Sequence, residues 1–309
     1  MGHSDDIKTE SRSIAKQIFA TVKEKDLSGL AQQIAYNILF ALAPLLIFIT
    51  ALAGWVTQIV NSDLQNPAEP VLTWMRDTLP KDAATFLEQP MNNALNTSPG
   101  FLLSFGAILA LWGAKNAMTA IIKGLNVAYG VEDKERSWFA NTMVAIGLTI
   151  GLGLMLAAGS MIFVLGTGIG DDFANAIGLG KAWSSVSTWL RWPLIAAVVI
   201  LGVALIHRYG PNIDAPLKWY LPGAAFTVVS MLIATLLLGI YFSISGGYSQ
   251  AYGTFGAVLA FIFWLYIMAL VILIGGVIND AVQEKVPAAQ ADIEAMNNHD
   301  NDNDDHPTA

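Results

Sequence analysis

Cysteine is absent from the chain, which excludes disulfide scaffolds, thiolate metal sites and cysteine nucleophiles. Charge is scarce: 13% of the residues are Asp, Glu, Lys or Arg, where an ordinary soluble domain carries about 25%. Basic residues are scarcer still. With 16 Lys and Arg against 24 Asp and Glu, no positive excess is available to neutralise phosphates, and no nucleic-acid partner is expected. Histidine is limited to His3, His207, His299 and His306, three in the polar ends and one at the edge of an apolar run. No HExxH, GxSxG or Walker A motif occurs, and no GxGxxG in the right context. GTGIGDD at 166–172 superficially looks like a phosphate loop, but it follows an apolar run on what reads as the outer side. No catalytic, metal-binding or cofactor-binding residue is assigned, and an enzyme is not expected.

What the chain does have is apolar length. Hydrophobic residues make up 54% of it, and the mean hydropathy is +0.52. Six runs, over about 34–59, 100–122, 141–166, 186–207, 220–244 and 254–278, each hold roughly 20 or more mostly apolar residues. At about 1.5 Å per residue, that length crosses a hydrocarbon core of about 30 Å. The reading is an all-α polytopic membrane protein with six transmembrane helices. Residues 1–29 form a polar cytoplasmic segment without an apolar run, so the first span is expected to act as an uncleaved anchor. Within that segment Ile14, Ile18, Phe19 and Val22 recur at helical spacing among Lys16, Lys23 and Lys25. This predicts a short amphipathic helix, either on the membrane surface or packed on the bundle. Residues 30–283 form the membrane domain, and 284–309 an acidic tail expected to be disordered.

Charge placement sets the orientation. Eleven Lys and Arg fall in segments that are cytoplasmic if both termini are, while Arg76, Lys81, Lys181 and Arg191 fall opposite. An even number of spans and this bias agree on N-in, C-in. The formal net charge of −8 belongs mostly to residues beyond 279 and says little about partners.

Polar residues inside the spans are the candidate site: Lys115 and Asn116 in span two, Asn37 in span one, Tyr252 in the uncharged SGGYSQAYGTFG join before span six, and Asp280 just after it. A lysine near a span centre costs roughly 3 kcal/mol, so Lys115 either contacts a ligand inside the bundle, snorkels to the interface, or pairs with Asp280. Pro44 is expected to kink span one. Asp26 or Ser28 is placed to cap it. Residues 60–99, which include Pro67, Pro70, Pro80 and Pro90, read as short interfacial helices. Gly147 and Gly151 form a small-xxx-small pair in span three. Trp183, Trp189 and Trp192 mark the outer interface, with Pro193 suited to the first turn of span four.

Several stretches carry a family resemblance: LAQQIAYNILFALAPLLIF (30–48), LWGAKNAMTAIIKGLNVAYGVEDKERSW (111–138), IHRYGPN (206–212), and the long run from Trp219 to Gln283. Within these, PGA at 222–224, the Tyr248, Tyr252, Gly253 and Gly256 cluster and the Trp264 segment are the most specific. The chain resembles the YihY/BrkB family of bacterial inner-membrane proteins over roughly residues 14–285. It departs at Val277, where many members have a glutamate, so no role built on that carboxylate carries over. The resemblance implies six membrane helices without an assigned reaction. Members formerly labelled ribonuclease BN imply tRNA processing, which the missing histidine–carboxylate set and basic surface disfavour. Others imply envelope lipid handling. The expectation is transport or organisation of a lipid or envelope precursor, with membrane lipids as partners; a non-transporting scaffold or assembly partner is the alternative.

Overall fold

The structure, a computed structural model, describes residues 20–60, 99–131, 136–165, 180–244 and 248–304. Six long helices follow the six apolar runs: α1 (Leu27–Val60), α2 (Pro99–Ala128), α3 (Trp138–Leu165), α4 (Gly180–Tyr209), α5 (Leu221–Ile244) and α6 (Tyr248–Lys285). A 3-10 turn, Leu217–Tyr220, leads into α5, and a seventh helix, α7 (Pro287–Asp304), follows α6. No strand occurs among the described residues. All six helices α1 to α6 contain a stretch long and apolar enough to cross a membrane. Helices satisfy every backbone polar group within the segment, which lipid requires.

The helices overrun their apolar runs. α4 begins at Gly180, so Pro193 lies well inside it rather than in its first turn. The polar segment before the proline has joined the helix. The tyrosine–glycine join is also shorter than its composition implies. Helix α6 starts at Tyr248, leaving only 245–247 between it and α5 outside the described residues. The chain from Pro287 to Asp304 is helical where an acidic, low-complexity composition leads one to expect no fixed structure. Local contacts account for this: Ala289 is fully buried, and Gln290 Nε2 donates to Glu284 O at 2.7 Å. The amphipathic pattern at 14–22 lies almost wholly outside the described residues, as do 61–98.

The cap of α1 is Asp26. Its backbone takes a φ of 45°, and its Oδ1 accepts from Gly29 N–H at 3.2 Å. Pro44 sits inside α1 as the sequence places it.

The chain divides into two compact units. The first comprises Met1–Gln32, Met118–Leu236 and Ile267–Ala309; the second comprises Gln33–Ala117 and Leu237–Tyr266. The second unit packs α1 closely on α2, where a Cβ on Gly113 would lie 3.0 Å from Ala41 Cα. In the first unit α3 packs on α4, and its fully buried side chains include Ile122, Leu125, His207, Tyr220, Thr227, Leu273 and Asn279. The outer helix faces are apolar: Leu154, Leu156, Trp189, Leu232 and Leu236 are each more than half exposed. A soluble protein does not leave such faces to water; for a membrane bundle they are the lipid surface.

Candidate functional site

The first unit holds a buried polar cluster where the end of α4, the start of α5 and the last third of α6 meet. Two glycines make the meeting possible. A Cβ on Gly223 would run into Gly275 O and come within 2.6 Å of the Asn279 side chain. A Cβ on Gly275 would strike Thr227 Oγ1 and lie 2.8 Å from Gly223 O. The backbones of α5 and α6 therefore cross in direct contact, as small residues allow between membrane helices.

Asn279 joins the three elements. Its Oδ1 accepts from Gly223 N–H at 2.7 Å, one of the orphan donors in the first turn of α5. Its Nδ2 donates to Tyr220 O at 3.1 Å and lies 3.0 Å from His207 Nδ1. The other imidazole nitrogen, Nε2, is 3.1 Å from Ile272 O. A carbonyl can only accept, so Nε2 carries the proton and Nδ1 accepts from Asn279. His207 is thus a neutral imidazole with both nitrogens satisfied. Such a histidine holds helices together; it is not poised as a base.

Around this cluster, cations close the helix ends. Arg136 Nη1 donates to Tyr209 O at 3.1 Å and to Gly210 O at 2.9 Å, and Nη2 to Pro211 O at 3.1 Å. These are the open carbonyls at the C-terminus of α4, where a cation is favoured by the helix dipole. Partial burial pulls the Arg136 guanidinium below its ordinary value, but arginine stays charged. Lys25 Nζ donates to Ala128 O at 3.2 Å and closes α2 in the same way. Asn126 Oδ1 accepts from Asn212 N–H at 3.2 Å. Replacing Arg136 with glutamine is expected to cost about 2 kcal/mol, the range of charge-assisted bonds. Arg136→Lys recovers little, because an ammonium cannot span three carbonyls with a planar fork. Thermal unfolding in detergent checks both variants.

Among the described residues, two buried polar side-chain atoms have no hydrogen-bond partner, Tyr129 Oη and Gln283 Nε2. The Tyr129 ring lies 6.3 Å from that of Tyr220, centroid to centroid.

A second polar contact anchors α7. Asp292 Oδ2 accepts from Trp219 Nε1 at 2.8 Å and pairs with Lys218 Nζ at 2.6 Å. These two donors hold the Asp292 carboxyl below its ordinary value, the Lys218 bond being the larger cause. A carboxylate whose folded pKa is depressed contributes above its unfolded value, about 3.9, and loses that contribution as pH falls through the folded value. Docking of α7 is therefore expected to be constant from pH 8 to about pH 5 and to loosen only below about pH 4. Protease sensitivity of residues 287–304 reads this, and Asp292→Asn should remove the dependence.

The polar residues singled out in the sequence fall in both units. Lys115 Nζ donates to Asn116 Oδ1 at 3.1 Å within the second unit. Asn37 Nδ2 turns back to Gln33 O of its own helix at 2.8 Å. The side chain of Tyr252 lies outside the described residues. Asp280 belongs to the first unit, where Lys25 acts on it electrostatically. The residues missed were His207 and Asn279. The signal for them was two polar residues at the same ends of spans four and six, each in a glycine-containing stretch.

Similarity to known proteins covers nearly all of this architecture. The family model described as virulence factor BrkB matches residues 18–299. The ribonuclease-like protein YfkH of Bacillus subtilis is 29% identical over 88% of this chain and 96% of its own length. A UPF0761 membrane protein of Chromobacterium violaceum is 25% identical over 88% of this chain and 61% of its own. A third relative, the UPF0761 membrane protein Rru_A2625 of Rhodospirillum rubrum, is 25% identical over 82% of this chain and 54% of its own. The chain thus spans little more than half the length of the two UPF0761 relatives. No solved structure matches it.

Proposed function

Because the chain belongs to the virulence factor BrkB family, a family of membrane proteins, we propose that it is a multi-pass protein of the bacterial inner membrane that moves or organises an amphiphile, a lipid or envelope precursor. In this reading both termini lie in the cytoplasm. Lys25, Lys123, Arg136, Arg208 and Lys218 all flank span ends that this orientation puts on one side, in keeping with the positive-inside rule.

The observation that carries the reading is an apolar groove of about 460 Å³ between α3 and α4, lined by Leu152, Met155, Gly159, Trp192, Val199 and Gly202 among others. Sites for small molecules run from about 300 to 1,000 Å³. The lining has room at Gly159, where an added Cβ would meet only Val198 Cγ1 at 3.9 Å, and its apolar side chains suit an acyl chain. Lys115, with its partner Asn116, is the polar contact we assign inside the membrane. Filling the groove with Gly159→Phe is expected to lower lipid retained by the purified protein about tenfold, a loss of about 1.4 kcal/mol. Native mass spectrometry with lipids kept, run beside Lys115→Ala, is the measurement. Unchanged lipid profiles in both variants would count against the reading.

A scaffold without transport has its own support. Only 11% of the α3 stretch Trp138–Gly159 is buried, and nothing lies within 4 Å of a Cβ added at Gly147 or Gly151. A partner helix on that face would make the groove incidental. RNA cleavage ranks last: no group of three His, Cys, Asp or Glu able to hold a metal occurs among the described residues.

A further inference from the structure

The α7 anchor has the chemistry of an anion site. Its two donors, an ammonium and an indole N–H, converge on a single carboxylate oxygen of Asp292. The Lys218 ammonium also lies 5.3 Å from the centroid of the Trp219 ring, so cation and indole form one composite surface. Both belong to the 3-10 turn that opens the fifth apolar stretch, Leu217–Tyr241. Lysine and tryptophan at the start of a span sit at headgroup depth, where the ring and the alkyl stem lie against lipid and the polar ends face phosphate. A carboxylate from the chain occupies that place instead.

We propose that Lys218 and Trp219 form a binding site for the phosphate of an anionic lipid headgroup, and that Asp292 on α7 covers it as an internal mimic. The exchange is open to competition. Lys218 is 60% exposed and Asp292 35%, and an ion pair in that setting contributes little. An anionic membrane surface attracts a basic residue with comparable strength. The acidic helix is then a strap. It is docked over a neutral bilayer and displaced where anionic lipid is abundant, which frees a basic, aromatic turn beside the buried cluster. The site is separate from the apolar groove and does not require that the protein move lipid.

Because the chain has no native cysteine, one thiol reports docking. Ala289 of α7 is fully buried, so a thiol introduced by Ala289→Cys reacts with a maleimide only when the strap lifts. The full chain is placed in nanodiscs of phosphatidylcholine, of phosphatidylcholine with phosphatidylglycerol, and of phosphatidylcholine with inorganic phosphate in solution. Phosphatidylglycerol is expected to speed labelling about fivefold, and Asp292→Asn to reproduce that rate in phosphatidylcholine alone. Native mass spectrometry separates a site from general repulsion of an acidic tail. Asp292→Asn should retain one more phosphatidylglycerol than the wild type, and adding Lys218→Gln should remove it. Acceleration by inorganic phosphate without acceleration by phosphatidylglycerol overturns the lipid assignment. Equal labelling in all three arms, or equal lipid retention with and without Lys218, overturns the site itself.

Discussion

Gly223→Ala is expected to destabilise the protein by about 3 kcal/mol or more, the upper end of what overpacking costs. The added methyl would meet Gly275 O and the Asn279 side chain, and neither can move aside. The first is backbone of a helix in register, and the second is held by its own hydrogen bonds. Relief requires α5 to part from α6, which would break the contact of Gly223 N–H with Asn279 as well. Gly275→Ala should behave alike, since its methyl would lie 2.8 Å from Gly223 O and 2.9 Å from His207 Cε1. Gly151→Ala is the control: nothing lies within 4 Å of its Cβ, and alanine gains up to about 1 kcal/mol of helix propensity over glycine. Thermal unfolding in detergent, read by tryptophan fluorescence, orders the three. Equal midpoints for Gly223→Ala and Gly151→Ala would show that the crossing is not as tight as described.

Asn279→Leu keeps the volume and removes the hydrogen bonds. It leaves Gly223 N–H, Tyr220 O and His207 Nδ1 without their buried partner. At roughly 1 kcal/mol or more for each abandoned group, the loss is on the order of 3 kcal/mol. Asn279→Asp should not rescue it. A carboxylate still accepts from Gly223, but it has no proton to give Tyr220 O or His207. Pairing Asn279→Leu with His207→Phe tests the network as a network. The double variant should be less damaged than the two losses added, by at least about 0.5 kcal/mol. Strict additivity would mean that the two side chains act independently.

Much of the architecture was legible in the chain. The six apolar runs became six helices because lipid leaves a spanning backbone no other way to satisfy its polar groups. Asp26 was readable as a cap, since its side chain sits three residues before the donor that it meets. Boundaries were less legible. Helices continue into polar sequence wherever hydrogen bonding can continue, so α4 begins before Pro193 and α6 before the last of the tyrosine–glycine cluster. The helix Pro287–Asp304 is not legible in the tail's composition for a related reason: composition averages over residues, whereas Asp292 acts singly through Trp219 and Lys218.

The candidate site shows the limit more sharply. Lys115 stood out because its cost in a bilayer is a property of one residue and its depth, both readable along the chain. Asn279 did not, because nothing local separates a polar residue near a span end that meets water from one that meets a histidine 72 positions away. Local sequence thus determined the solvent, the helices long and apolar enough to cross it and the family, all of which depend on summed apolar length and short motifs. The pairing of Gly223 with Gly275, the neutral state of His207 and the seating of Asp292 on Lys218 and Trp219 were decided only by tertiary structure. Each depends on a distance between atoms far apart in the chain, and that distance exists only once the helices have packed.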